Sequence, residues 1–363
     1  MNILYVGMEY DYGIRERGRS FEHYNFYDTL ARMGHTIHYF DFKALESTLG
    51  RGRMNRRLGE IVRSDKPDLM FSFLYEEELD KRAVRNISED TGTISLNWFA
   101  DDHWRFDNYS RYWAPCFNWV VTTAQSAVPK YAAIGYRNVI KSQWGFNPHL
   151  YQWNPDLVLA HDVTFVGQPH GNRRMVVDRL AQEGIRVSTW GHGWEAGRIS
   201  QEDMIRVFNQ SRINLNLPNA SSADWRRPPP QMVLRGRRAL GGQLERFALG
   251  RTVKALRRRT IAARSPQVSL PEQVKARNFE IPGCGGFQLS GKAEDLDQYF
   301  EPDREVVLFT DLDDLVQKIQ YYLAREDERA AIATAGQARA VRDHTYQARF
   351  RDIFGRIGLA AVS

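Results

Sequence analysis

Two glutamates late in the chain are spaced in a way that suits nucleotide chemistry. Glu272 and Glu280 are separated by seven residues, and a glycine-rich run containing Gly285 and Gly286 follows. A carboxylate can accept hydrogen bonds from both hydroxyls of a ribose, and glycines let the backbone approach a ligand closely. If the stretch before Glu280 is helical, Arg277 lies on the same face and can bind a diphosphate. These residues indicate a nucleotide-sugar pocket, and the alternative is a solvated helix face followed by a glycine cap.

A second polar group lies in the first half of the chain, at Asp101, Asp102 and His103. It directly follows an apolar stretch at 93–98 that we predict to be a strand. Because open parallel sheets place their ligands at the carboxyl ends of the strands, these side chains are candidates for the acceptor side of a cleft. One of them can act as general base in an inverting transfer, whereas in a retaining transfer they would only bind the acceptor. A turn with capping aspartates is the alternative.

The elements that must position these groups alternate between strands and helices. In the first 152 residues we predict strands at 2–7, 36–41, 69–73, 93–98, 119–123 and 139–141. The pattern restarts after a polar crossing, with strands predicted at 162–166, 186–190, 213–217, 286–289 and 306–309. Alternation of this kind is typical of doubly wound parallel sheets. We therefore predict two Rossmann-like α/β domains, at 1–152 and 153–344, that face a central cleft.

One segment carries an unusual excess of positive charge. Residues 219–265 hold twelve Lys and Arg against two acidic residues, a net +10, whereas the whole chain carries +6, so the remainder carries −4. This segment interrupts the second domain. It can form an exposed helical hairpin packed on the body, or an arm for an anionic membrane surface or a lipid-linked acceptor. Nucleic acid is the weaker alternative, because nucleic-acid binders usually spread positive charge over a domain face.

Composition bounds the compartment and the cofactors. Two cysteines, Cys116 and Cys284, cannot build a disulfide framework or a zinc site. The chain has no apolar run of about 18 residues, and its first residues lack the pattern of a secretory signal. We expect a cytoplasmic protein, with peripheral association on the inner face of the membrane as an option. The pair Asp311 and Asp313 resembles a metal motif, but we interpret it as the capped start of a helix and expect metal-independent chemistry without a cofactor.

The last third of the chain resembles a known family, the CgeB-like glycosyltransferases (the spore maturation protein family). This is a branch of the GT-B enzymes related to the large retaining nucleotide-sugar family. The resemblance rests on the stretches 277–287, 294–296, 299–302, 305–307 and 344–346 with Arg349, and on 164–167 and 211–216 at the start of the same domain. It covers roughly residues 160–350 apart from the basic segment. The first half matches only loosely.

The resemblance implies roles for individual residues. Glu280 would bind the ribose, and Glu272 would contact the donor sugar. Arg277 and one of Arg173 or Arg174 would neutralise the diphosphate, and Gly285 with Gly286 would bring backbone amides toward it. In the donor domain, Gly167 closes the first strand, and the stretch containing His192 and Trp194 is expected at the nucleobase, with core packing as the alternative for Trp194.

The sequence therefore predicts a GT-B glycosyltransferase. It would transfer a sugar from a nucleotide-diphosphate donor to a glycan, a lipid-linked saccharide or a protein, with retention favoured by the resemblance. The last helix, from about 345 to 363, is expected to pack back on the first domain. The alternatives are a non-catalytic nucleotide- or glycan-binding protein on the same fold, and a membrane-associated scaffold acting through the basic segment.

Overall fold

The computed structural model describes residues 1–218 and 272–359. Within them the chain forms two parallel sheets. The first has the strand order β2-β1-β3-β4-β5-β6 and the second the order β11-β10-β9-β7-β8. The strands are β1 Asn2–Gly7, β2 Thr36–Asp41, β3 Leu69–Ser72, β4 Ile94–Phe99, β5 Trp119–Thr122, β6 Val139–Lys141, β7 His161–Val166, β8 Val187–Trp190, β9 Ser211–Asn216, β10 Gln288–Gly291 and β11 Val307–Phe309.

The order of each sheet follows from parallel crossovers through helices. In the first sheet Ile3 of β1 pairs with Ile37 of β2 on one side and with Leu69 of β3 on the other. All four residues of β3 are buried, as expected for a strand covered on both faces. The predicted strands are thus present in both halves of the chain, with bounds that differ by one or two residues. The prediction of two doubly wound α/β layers is confirmed.

Helices cover both sheets and begin at well-formed caps. Asp41, Asp80, Ser200, Asp311 and Thr345 each accept a backbone hydrogen bond at a helix start. The α-helices are α1 Asp28–Arg32, α2 Phe42–Leu49, α3 Arg51–Asp65, α4 Lys81–Asp90, α5 Asp102–Arg105, α6 Arg111–Trp113, α7 Val128–Ala133, α8 Arg173–Gln182, α9 Gln201–Asn209, α10 Arg277–Gly283, α11 Leu296–Tyr299, α12 Leu312–Leu323, α13 Glu326–Asp343 and α14 Tyr346–Arg356. A π-helical turn, His23–Tyr27, precedes α1.

The end of the chain returns to the first sheet. The ring of Phe350 in α14 lies 5.6 Å from Phe71 of β3 and 5.7 Å from Phe26. Before α14, the Nε2 of His344 is 2.7 Å from the Tyr299 carbonyl oxygen, and its Nδ1 is 3.0 Å from the Arg349 guanidinium. The neutral imidazole fits both neighbours, because Nε2–H can donate while Nδ1 accepts.

Two features of the chain bear on membranes and on the basic segment. No helix of the described residues combines the length and the apolar character needed to cross a bilayer. The basic segment, 219–265, lies outside the described residues.

Candidate functional site

The carboxyl edges of the two sheets face each other, and the chain bridges them with polar contacts. Asp101 lies two residues after the end of β4. It accepts a hydrogen bond from Gln273 Nε2 at 3.1 Å and forms an ion pair with Lys275 Nζ at 3.4 Å. Arg198 of the second domain pairs with Asp11 of the first at 2.8 Å. These contacts join Asp101 of the first domain to the segment before α10 of the second. We call the region between the two sheet edges, where open parallel sheets place their ligands, the cleft.

Of the three residues predicted for the acceptor side, Asp101, Asp102 and His103, one points away from the cleft. Asp102 is fully buried and accepts a hydrogen bond from Tyr131 Oη at 2.7 Å, inside the first domain. Burial alone would raise the pKa of Asp101, but the nearby positive charges, Lys275 first and then Arg105, together outweigh it and hold that pKa below its usual value. Burial, and then Lys275, lower the pKa of His103 to about 4. At neutral pH the cleft therefore presents an ionised Asp101 and a neutral His103.

Glu280 is placed in α10 and is completely buried. Its carboxylate forms an ion pair with Arg277 and accepts a hydrogen bond from Tyr151 Oη at 2.6 Å. Burial, and then the charge of Glu280, raise the pKa of Tyr151 well above its usual value, so the phenol stays a donor. The Arg277 side chain is 29% exposed, which makes it the open member of the pair. A ribose can reach Glu280 only if a neighbouring group moves.

Glu272 lies beside the cleft, two residues before the buried Val274. Its carbonyl oxygen accepts a hydrogen bond from the Glu294 amide at 2.8 Å, which holds the segment beside the loop after β10. Burial raises the pKa of the Glu272 carboxyl. Glu272, Lys275 and Arg277 thus all lie on one short segment of the chain, which borders the cleft.

Arg173, the first residue of α8, is 7% exposed. Its guanidinium donates to the carbonyl oxygens of Leu217, at 2.6 and 3.0 Å, and of Gln168, at 3.0 Å. Burial, and then the charge of Arg277, lower the pKa of Arg173 to about 10, and Arg173 in turn contributes to the lowered pKa of Lys275 after burial. The charge of Arg173 thus interacts with those of Arg277 and Lys275, and we call these three residues the cation cluster. Arg173 has no carboxylate partner among the residues described here.

The loops after β7 and β8 meet closely. A Cβ at Gly191, whose φ is +138°, would lie 2.4 Å from the carbonyl oxygen of Gly167, so glycine is required there. Trp194 donates from Nε1 to that same oxygen at 2.7 Å, and its ring packs in the core of the second domain. Arg174 stacks on Trp194 at 4.9 Å, and His192 is exposed at the loop tip. Of the two residues predicted to lie at the nucleobase, His192 is exposed. Trp194 is packed in the core, which was the alternative for this residue.

Gly285 and Gly286 lie at the other end of α10 from Arg277. A Cβ at Gly285, whose φ is +70°, would lie 2.7 Å from the Trp153 ring, and one at Gly286 would lie 2.8 Å from Asn214 Nδ2. Both glycines precede β10 and therefore sit at the amino edge of the second sheet. Their close approaches in this structure are to protein groups.

Sequence reasoning missed the side chains that support Glu280. Tyr151 comes from the crossing between the domains, and Gln201 Nε2 donates to its hydroxyl at 2.7 Å. Gln273, which holds Asp101, stands inside the motif but carries no charge that would single it out. No local spacing pairs residues 151 and 280, so only the fold can reveal this contact.

The predicted helix start at Asp311 is present, since its Oδ1 accepts from the Asp314 amide at 2.9 Å. Within residues 1–218 and 272–359, no three His, Cys, Asp or Glu side chains are grouped so that they could hold a metal ion.

Comparison with known proteins bears on both the family and the fold. The model of the family described as "Glycosyl transferase-like" matches residues 173–233 and 237–355, about half of the chain. No curated protein is significantly similar in sequence.

Several solved structures share the whole architecture. HepE from Anabaena, solved with UDP-glucose, superposes with a TM-score of 0.60 at 14% identity, covering 99% of each chain. A glycosyltransferase from Rickettsia africae gives a TM-score of 0.58 at 12% identity, again covering 99% of each chain. Sucrose-phosphate synthase from Thermosynechococcus elongatus gives 0.57 at 9% identity, covering 98% of this chain and 99% of its own. The predicted GT-B fold is confirmed, and together the family match and the fold support identifying the chain as a GT-B glycosyltransferase.

Proposed function

We propose that the chain transfers a sugar from a nucleoside diphosphate sugar to an acceptor hydroxyl on a glycan, a lipid-linked saccharide or a protein. We also propose that it is CgeB-like, on the motif resemblance of its last third. The second domain would hold the donor and the first domain the acceptor. A donor of this class is in keeping with HepE, whose structures contain UDP-glucose or UDP.

The observation that carries the proposal is the cation cluster of Arg173, Lys275 and Arg277. Glu280 and Asp101 neutralise two of its members, whereas Arg173 donates to carbonyl oxygens and has no carboxylate partner within the described structure. Arg173 also opens α8, a ten-residue helix whose amino end follows the loop after β7. Positive side chains beside a helix amino terminus suit a diphosphate.

The same cluster supplies the electrostatics that the reaction needs. Departure of the nucleoside diphosphate develops negative charge, which fixed cations and amides stabilise without reorganisation. We propose that this makes the reaction metal-independent. Glu280 would orient Arg277 toward the diphosphate and contact the ribose once the donor has displaced a neighbouring group. Glu272, on the same wall, would contact the donor sugar.

We propose that the transfer retains the anomeric configuration. An inverting enzyme needs a general base whose pKa lies near the working pH. Asp102 is buried away from the cleft, Asp101 is held ionised by Lys275, and the pKa of His103 lies near 4. None of these three groups meets that requirement, so Asp101 and His103 would bind or position the acceptor, whereas Asp102 would support the fold of the first domain.

Thermal unfolding with UDP, GDP, dTDP, CMP and ADP tests the donor site, because a ligand of the folded state raises the melting temperature. We expect one nucleoside diphosphate to give the largest shift, and Lys275→Met to reduce that shift. Arg206, which pairs with Asp203 on the exposed face of α9, provides the matched control Arg206→Met. Release of the nucleoside diphosphate from its sugar then tests turnover. Absence of any nucleotide-dependent shift would overturn the proposal.

A further inference from the structure

A buried carboxyl group in the first domain has no role in the donor site. Glu22 is 1% exposed, and its Oε1 has no hydrogen-bond partner among residues 1–218 and 272–359. Its Oε2 accepts a hydrogen bond from Tyr75 Oη at 3.2 Å. Buried polar atoms in folded proteins are nearly always paired, so an unpaired carboxyl oxygen indicates an absent partner such as a ligand or water.

Glu22 is buried behind Tyr75, at the edge of the first sheet that faces the second domain. It follows the loop after β1, Tyr75 follows β3, and Asp101 follows β4, so all three lie at the carboxyl edge of the first sheet. Tyr75 and Asp101 together line a small cavity of about 10 Å³. The loop before Glu22 reaches the second domain through the ion pair of Asp11 with Arg198. A cavity of this size admits about one hydroxyl group or water molecule.

We propose that this cluster around Glu22 and Tyr75 is the acceptor site, and that it takes an uncharged, hydroxyl-rich group such as a neutral sugar. This inference rests on the proposed transferase function. Because a retaining transfer requires no enzymatic base on the acceptor hydroxyl, Glu22 would act here as a binding residue that shares a hydrogen bond with that hydroxyl.

The charges around Glu22 favour an uncharged ligand. The acidic neighbours are Asp11 and Glu78, which act on Glu22 itself, and Asp101, which acts on Tyr75 beside it. Asp11 is paired with Arg198 and Asp101 with Lys275, so these pairs offer an anionic acceptor no free cation, and Glu78 adds a further acidic group. The nearby cations are already engaged: Arg19 pairs with Glu9, Arg17 lies over the Tyr12 ring and Lys43 acts on Glu78. The surrounding phenols of Tyr5, Tyr12 and Tyr39 are uncharged at neutral pH.

Burial is the main reason that the pKa of Glu22 rises to about 8, and Asp11 and Glu78 add to it. At pH 7 the group is therefore mostly protonated and can both donate to and accept from a hydroxyl. Above pH 8 it ionises and loses its donor. Binding of a neutral sugar should consequently weaken as the pH rises through about 8.

Binding of the full chain, in the presence of UDP, to arrays of neutral and of phosphate- or carboxylate-bearing glycans tests the inference. We expect neutral glycans to bind the native protein and Glu22→Gln alike, because the amide keeps a donor. Glu22→Ala should lose about tenfold in affinity. The exposed Glu16 on the same loop supplies the control Glu16→Gln, which should bind normally. Raising the pH through 8 should weaken the native protein but not Glu22→Gln.

Several results would overturn the inference: preferential binding of acidic glycans, binding of no glycan, full binding by Glu22→Ala, or loss of binding in Glu22→Gln, which would show that binding needs the ionised carboxylate. Melting curves with UDP report separately on folding and on the donor site. If UDP gives no shift while neutral glycans bind through Glu22, the donor proposal fails and the saccharide site stands.

Discussion

The buried pair of Glu280 and Arg277 allows a quantitative test of the donor site. Glu280→Gln keeps the shape of the side chain and an acceptor for Tyr151, but it removes the charge. Breaking a fully buried ion pair costs about 3–5 kcal/mol, and because Arg277 is 29% exposed we expect about 2–3 kcal/mol. Since Arg277 also loses the group that orients it, UDP affinity should fall by about tenfold, equivalent to about 1.4 kcal/mol.

The assay combines urea unfolding with calorimetric titration of UDP. Tyr151→Phe removes a single hydrogen bond to the carboxylate and should cost about 1–2 kcal/mol. Glu202, which is exposed on α9 and pairs with Arg206 at 3.5 Å, gives the control Glu202→Gln, with a change below about 0.5 kcal/mol. Unchanged stability would refute the ion-pair reasoning. A stability loss with unchanged UDP affinity would show that Glu280 serves the fold alone.

Three further perturbations have expected outcomes. Gly191→Ala should lower the melting temperature strongly, since the new Cβ would meet the Gly167 carbonyl oxygen at 2.4 Å, and circular dichroism would measure this. Asp101→Asn combined with Lys275→Met should cost less stability than the two single changes summed, in a double-mutant cycle by urea unfolding. Burial lowers the pKa of His344 to about 4, so protonation of this histidine favours the unfolded chain. The free energy of unfolding should therefore decrease as the pH falls from about 6.5 to about 4, and it should decrease less in His344→Gln.

The strand pattern could be predicted because both sheets are parallel and covered on two faces. The central strands of such sheets are mostly apolar, as at Leu69–Ser72, and glycine or aspartate follows several of the strands, as at Gly167 and Asp101. The pairing of Arg277 with Glu280 could also be predicted, because residues three apart on a helix share a face.

Contacts between distant segments could not be predicted. Tyr151 reaches Glu280 across 129 positions of sequence, and Tyr75 reaches Glu22 across 53. Neither pair has a local signature: the crossing of the chain between domains brings Tyr151 to Glu280, and the packing of neighbouring strands in the first domain brings Tyr75 to Glu22. The same holds for Asp102, whose sequence position beside Asp101 gives no sign that one side chain enters the core while the other faces the cleft.

The central claim is that a nucleoside diphosphate binds in the cleft against the cluster of Arg173, Lys275 and Arg277. A crystal structure with UDP is its most direct test. We predict diphosphate oxygens within hydrogen-bond distance of at least two of these cations, with the base toward the loop that contains His192. UDP bound elsewhere on the chain, with this cleft unoccupied, would contradict the account.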